Sequence, residues 1–249
     1  MDPAKFTNRN RRKNDDSTKM NDINKILESV TGYYNEYKND KNGRYRSWEH
    51  CYKHFSEARE EKERDNPDVI DYLSLHLAFY LASWGMYRGS SFLLRRDYKI
   101  HEQAVKEILK KEYDVLLGIE CFELEKNLDL LDTLYQELEK YYCSVRNDIQ
   151  GIRVRDSVSR TLLTKILMGT LGCVPAYDRF FISGIKNQGV TTGNYNVQSL
   201  RKLSKFYEDN YDILEQVRKG MKIENRIEYP QMKLLDMAFW QIGKDLEDE

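Results

Sequence analysis

Three observations predict an all-α chain. Only 4 of the 249 residues are proline, and leucine, lysine and glutamate, all good helix formers, are plentiful. Apolar residues recur at the i, i+3, i+4 spacing of a helix with one buried face. No apolar/polar alternation flanked by hairpin turns appears, and no repeat period is visible. The expectation is one globular domain over residues 20–249, built from roughly eight to ten helices whose short connections make most neighbours antiparallel.

Residues 1–19 carry Lys5, Arg9, Arg11, Arg12, Lys13 and Lys19 against Asp2, Asp15 and Asp16, with no apolar periodicity. They read as a disordered basic arm, either a solvated tail or a contact for nucleic acid. The first helix is expected from Ser17 to Val30, on Ile23, Ile26, Leu27 and Val30. A polar loop then reaches Ser47, the expected N-cap of a helix that buries Trp48, Cys51, Tyr52 and Phe55. Asp65-Asn66-Pro67-Asp68 is a stop-and-restart signal, and the run over 68–84 has the apolar breadth of a buried central helix.

A short helix is expected at Phe92–Arg96 and another over 101–117, with Val105, Ile108, Leu109, Tyr113, Leu116 and Leu117 inward. Leu128, Leu131, Leu134, Tyr135, Leu138, Tyr142 and Val145 define a long amphipathic helix. The pattern breaks over 146–156, resumes from Val158 to Leu171, and stops at Gly172-Cys173-Val174-Pro175. Helices are then expected over Tyr177–Lys186, over 197–218 and after Pro230, with a mobile Gly189–Asn194 connection.

The charge balance restricts function. With 33% charged residues and a formal net charge of −1, the composition argues against a dedicated nonspecific DNA coat, while local basic patches stay open. Cys51, Cys121, Cys143 and Cys173 form no C-x-x-C pair, which predicts reduced core cysteines in a cytoplasmic protein without a signal peptide. The apolar run near Leu75–Met86 is too short to span a bilayer, so no membrane association is expected.

Two segments carry the candidate sites. In Trp84-Gly85-Met86-Tyr87-Arg88-Gly89-Ser90-Ser91 a helix stops and another begins. A guanidinium, two hydroxyls and free backbone N–H groups then stand together, which is a common way to hold an anion. Arg88 would supply the bidentate contact, Ser90 and Ser91 the hydroxyls, and Tyr87 or Tyr177 a stacking face. The plainer reading is a glycine-allowed break in which Ser90 caps the next helix and Arg88 pairs with a structural carboxylate.

The second segment runs from Thr164 and Lys165 to Val174-Pro175-Ala176-Tyr177-Asp178-Arg179. Asp178 there is a candidate general base, with Lys165 or Arg179 to stabilise negative charge; as an alternative it simply caps a helix. The order Lys, apolar helix, Pro-x-Tyr-Asp resembles a segment of helix-hairpin-helix DNA glycosylases and their relatives across some 16 residues. The Gly-Val/Ile-Gly hairpin and its DNA clamp are missing, so the resemblance implies helix-turn-helix geometry and not glycosylase chemistry. Ser83–Leu94 and Gly169–Phe181 also resemble signature stretches of an uncharacterised bacterial all-helical family, which implies a bacterial source and no particular activity.

Other features are weaker. His50 and His54 share a helical face beside Cys51, a chelating spacing that lacks a third ligand unless His76, His101 or a carboxylate joins them. Arg146, Arg153, Arg155, Arg160 and Lys165 form a basic stretch suited to a phosphate backbone or to neutralising the acidic helix at 120–139. The Gly189–Asn194 loop has neither a P-loop lysine nor a dinucleotide fingerprint. No cofactor and no metal are expected. Three functions remain: binding of an anion (nucleotide or nucleic-acid phosphate) at the 87–91 corner and 175–179 turn, a noncatalytic protein-interaction module, and an enzyme built on Asp178.

Overall fold

The computed structural model describes residues 23–36, 38–60 and 63–248. The expected arm at 1–19, and the first turn expected from Ser17, lie outside the described residues. Within them the chain is helical, as predicted. The one sheet among the described residues is a two-stranded hairpin, Lys222–Ile223 with Ile227–Glu228. No helix there is long and apolar enough to cross a membrane.

Helix α1 covers residues 23–36 and buries Ile23, Ile26 and Val30. Helix α2, Arg46–Glu60, begins one residue before the expected cap. Ser47 is inside it, and its Oγ donates to the Arg44 carbonyl (2.7 Å) instead of accepting an amide. Helix α3, Pro67–Ser83, follows the stop-and-restart signal: the Asn66 side chain accepts from Asp68 N (3.0 Å), with Pro67 in the first turn.

Helix α3 is not buried all round, contrary to expectation. Tyr72, Leu75 and Phe79 face solvent, whereas the enclosed helices are α7, Arg160–Thr170, and α11, Gln231–Asp248, the latter over residues 231–243. Their polar residues disguise them in the sequence. Thr164 and Thr170 are buried because each hydroxyl donates back to a carbonyl of its own helix, Arg160 and Ile166 respectively.

The run over 101–117 is split. Helix α4 covers Glu102–Ile108, and Lys111–Leu116 is a 3-10 turn. Donors from the end of α2 and the loop after it decide this: Arg59 Nη2 takes the Ile108 carbonyl, and Arg64 Nη1 takes that of Leu109 (3.2 Å). Those carbonyls would otherwise continue the helix. Leu117 is only half-buried. A single-turn helix α5, Cys121–Leu124, precedes the long helix α6, Leu128–Asn147.

The Phe92–Arg95 segment is a 3-10 turn capped by Ser91, whose Oγ accepts Leu93 N (3.3 Å); Ser90 is not the cap. Helix α8 is Arg179–Asn187. The run over 197–218 is two helices, α9 (Val197–Asp209) and α10 (Tyr211–Arg218). Asn210 separates them, its side-chain amide donating to the Phe206 carbonyl (2.8 Å). The Gly189–Asn194 connection is pinned: Thr191 Oγ1 accepts Gly193 N (2.9 Å) and bonds Ser199 Oγ (3.0 Å). Cys51, Cys121 and Cys173 are buried free thiols, but Cys143 is half-exposed, its Sγ donating to the Arg155 carbonyl.

Helices α8 and α11 cross with their backbones nearly touching. A Cβ on Gly184 would stand 1.9 Å from the Phe239 carbonyl oxygen, and one on Gly243 1.9 Å from that of Phe180. This crossing fixes Phe180 and Trp240 beside each other, ring centroids 5.2 Å apart. Both rings form part of the site.

Candidate functional site

The corner after α3 and the turn before α8 meet over the first half of α7. Gly85 (φ +76°) lets the chain turn out of α3, and Arg88 folds back over it, Nε 3.0 Å from where a Cβ would be. The Pro175–Asp178 turn is stitched to α7 through both backbone groups of Tyr177. Tyr177 N donates to Thr164 Oγ1 (3.0 Å), and its carbonyl accepts from Thr161 Oγ1 (2.9 Å). Ala176 N donates to Asp236 Oδ1 (2.9 Å), tying the turn to α11 as well.

Between these segments lies a cleft of about 610 Å3, lined by Tyr87, Arg88, Lys165, Asp178 and Arg179 from the sequence-predicted set. Five of the eight predicted residues therefore come together. Ser90 and Ser91 face a different cleft on the other side of the corner. Tyr177 faces neither: it is 2% exposed, its hydroxyl bonded to Ser199 Oγ (2.8 Å), so it offers no stacking surface.

Sequence reasoning missed the aromatic wall. Trp84, Phe180 and Trp240 line the cleft together with Arg44. The indoles of Trp84 and Trp240 meet edge to face at 5.8 Å. Arg44 lies over the rings of Tyr45 and Trp84, at 5.3 and 5.7 Å. These residues come from four parts of the chain, and no local spacing announces them. The buried Nε1 atoms of Trp84 and Trp240 have no hydrogen-bond partner among the described residues.

The cations differ in how far they are already committed. Lys165 Nζ donates to the Trp84 carbonyl (2.9 Å) and stands 3.3 Å from Asp178 Oδ2. Arg179 pairs with Glu247 at 3.2 Å on the surface. Arg88 and Arg44 have no carboxylate partner among the described residues, so the structural-carboxylate reading of Arg88 does not hold there. Asp178 caps α8, its Oδ1 accepting Phe180 N and Phe181 N, each at 3.1 Å. Both carboxylate oxygens are thus engaged.

Tyr87 anchors the corner from below. Its hydroxyl meets His101 Nε2 at 2.8 Å, and His101 Nδ1 meets the Tyr142 hydroxyl at 2.7 Å. Burial lowers His101 to about 3, and burial with the nearby Asp97 charge pushes Tyr87 up to about 12. The relay is therefore neutral near pH 7.

The remaining candidates disperse. His54 packs at a tilt against His76 (centroids 4.2 Å) and bonds Tyr72, while His101 lies in the relay. No group of three potential metal ligands occurs among the described residues. The basic stretch divides: Lys165 enters the cleft described above, Arg146, Arg153 and Arg155 line the second cleft, and Arg160 looks onto Asp132 and Glu139 of α6. Set against protein-family models, curated proteins and solved structures, the chain matches none of them.

Proposed function

We propose that this protein binds a nucleotide-class anion in the cleft between Trp84–Arg88 and Lys165–Arg179. The observation that carries the reading is the pairing of Arg88 and Arg44, free of carboxylate partners among the described residues, with the half-buried rings of Trp84 and Phe180, which the buried Trp240 backs edge to face. A guanidinium can grip a phosphate bidentately while an aromatic face takes a base. Catalysis through Asp178 is less well supported, because a base needs a free oxygen and both are occupied by the cap and the lysine.

The test is a thermal-shift and tryptophan-quenching titration with adenosine and uridine mono- and triphosphates, with adenosine and tripolyphosphate alone as comparisons. Two of the three tryptophans, Trp84 and Trp240, line the cleft, so binding should quench emission. A nucleotide at 100 times its dissociation constant adds about 2.7 kcal/mol to the folded state. Arg88→Ala should abolish both signals; absence of any shift in the wild-type protein would refute the reading.

The interaction-module reading has one observation of its own. Tyr72, Leu75 and Phe79 occupy one stripe of α3 and are 47%, 50% and 57% exposed. Self-association in sedimentation velocity, removed by Phe79→Asp, would support it; a monomer at every concentration would count against self-association through that stripe.

A further inference from the structure

On the other side of the same corner lies a second cleft, of about 660 Å3. Arg95, Arg146, Arg153 and Arg155 line it, and no carboxylate does. None of the four has an ion-pair partner among the described residues. Arg95 and Arg146 are steadied by backbone carbonyls, of Gln150 (3.3 Å) and Arg153 (2.8 Å), which position a guanidinium without cancelling its charge. Arg153 and Arg155 are exposed. In a chain of net charge −1, this concentration of one sign is local and uncompensated.

The backbone that carries two of the arginines is also held in place. The loop carrying Arg153 and Arg155 is clipped to the end of α6. Asn147 Nδ2 donates to the Arg155 carbonyl (2.9 Å), and Asn147 Oδ1 accepts Arg155 N (3.2 Å). Ser159, the N-cap residue of α7, makes no side-chain cap bond and lines the cleft. Helix α7 therefore adds the positive end of its dipole to a wall that is already cationic.

We infer that this arginine-lined cleft binds the phosphate backbone of a single-stranded nucleic acid. The four guanidiniums come from three separate segments of the chain, which distributes charge along the cleft walls as a run of successive phosphates requires. Met86 lines both clefts, so the two are neighbours across one side chain. The inference does not depend on mononucleotide binding in that first cleft, since backbone affinity arises from the arginines alone.

The experiment is fluorescence anisotropy of a labelled 12-nucleotide oligo-dT on the full chain, titrated at several salt concentrations. Binding should weaken with salt on a log–log slope of about −2 to −3, as about four neutralised phosphates require. The Arg153→Ala/Arg155→Ala double variant, changed only at exposed side chains, should lose about tenfold in affinity and about 1.4 of the slope. Arg88→Ala should retain that slope, which separates failure here from failure of the first cleft. No binding by wild-type protein, or binding that ignores the double variant, overturns the inference. So does full competition by tripolyphosphate at equal phosphate concentration, which would assign the cleft to small phosphates, or equal affinity for an oligoglutamate, which would assign it to any polyanion.

Discussion

Lys165 Nζ stands 3.3 Å from Asp178 Oδ2 with both side chains nearly out of solvent, 6% and 13% exposed. The other oxygen of that carboxylate holds the second and third amides of α8, those of Phe180 and Phe181. One aspartate thus joins the helix that enters the cleft to the helix that forms its floor. The arrangement makes the pair a framework for the cleft wall.

Removing one member should therefore cost more than removing both. Lys165→Met leaves a buried carboxylate without its counter-charge and should destabilise by about 3 kcal/mol. Asp178→Asn keeps an oxygen for the cap but loses the charge, and Asp178→Ala loses the cap too, for about 1 kcal/mol more. The Lys165→Met/Asp178→Asn double variant should recover part of the loss. Urea denaturation checks the series, and simple additivity in the double variant would show that the two residues are not coupled.

Gly85→Ala tests how Arg88 is held. The new Cβ meets both a positive φ and the Arg88 side chain, so stability should fall by about 1 kcal/mol. Nucleotide-induced quenching should weaken alongside it. Unchanged ligand affinity in a folded Gly85→Ala protein would mean that Arg88's position over Gly85 is irrelevant to binding.

Acid should loosen the corner through His101. Its folded pKa, about 3, lies below the ordinary 6.5, so its contribution is fully present above pH 6.5. It is lost as pH falls from there toward 3, because the unfolded chain takes up the proton first. At about 1.4 kcal/mol per unit the full window is worth on the order of 5 kcal/mol. His76, lowered to about 4 by burial and the neighbouring His54 and His50, acts in the same direction, but its partial exposure makes its share smaller. Denaturation midpoints between pH 7.5 and 4 should fall steeply in wild type and less steeply in His101→Phe; equal slopes would show that the relay does not titrate with folding.

Gly184→Ala or Gly243→Ala should be among the most damaging single-methyl additions in the chain. Each new methyl meets backbone of the opposite helix, which cannot rotate aside as a side chain can. A loss of about 3 kcal/mol or more is expected, with displacement of Phe180 and Trp240 visible as a shift in tryptophan emission. Wild-type stability in either variant would mean that the helices separate at little cost.

Local chemistry made much of this legible in advance. Asn66-Pro67 started α3, Gly172 (φ +62°) ended α7, and Asp178 capped α8, because each signal acts within one turn of backbone. The positive φ at both Glu224 and Asn225 was the weak spot: it builds a hairpin from strands of two residues, too short for any alternation to register. The breaks at Leu109 and Asn210 have different origins. Asn210 acts through its own side chain and was readable in principle, whereas the break at Leu109 depends on arginines some fifty residues earlier.

By itself, then, the sequence determined the helical class, most helix boundaries, and the two segments, 84–91 and 164–179, from which the cleft is built. Helical periodicity and capping are short-range and survive without knowledge of the fold. Only the tertiary structure decided which of those residues meet. It placed Tyr177 in the core and sent Ser90 and Ser91 to the arginine-lined side. It also brought Trp240 and Arg44 against Trp84 from opposite ends of the chain. The physical reason is that side-chain burial and charge pairing depend on how helices cross, and the α8–α11 crossing is set by two glycines whose role appears only when the backbones touch.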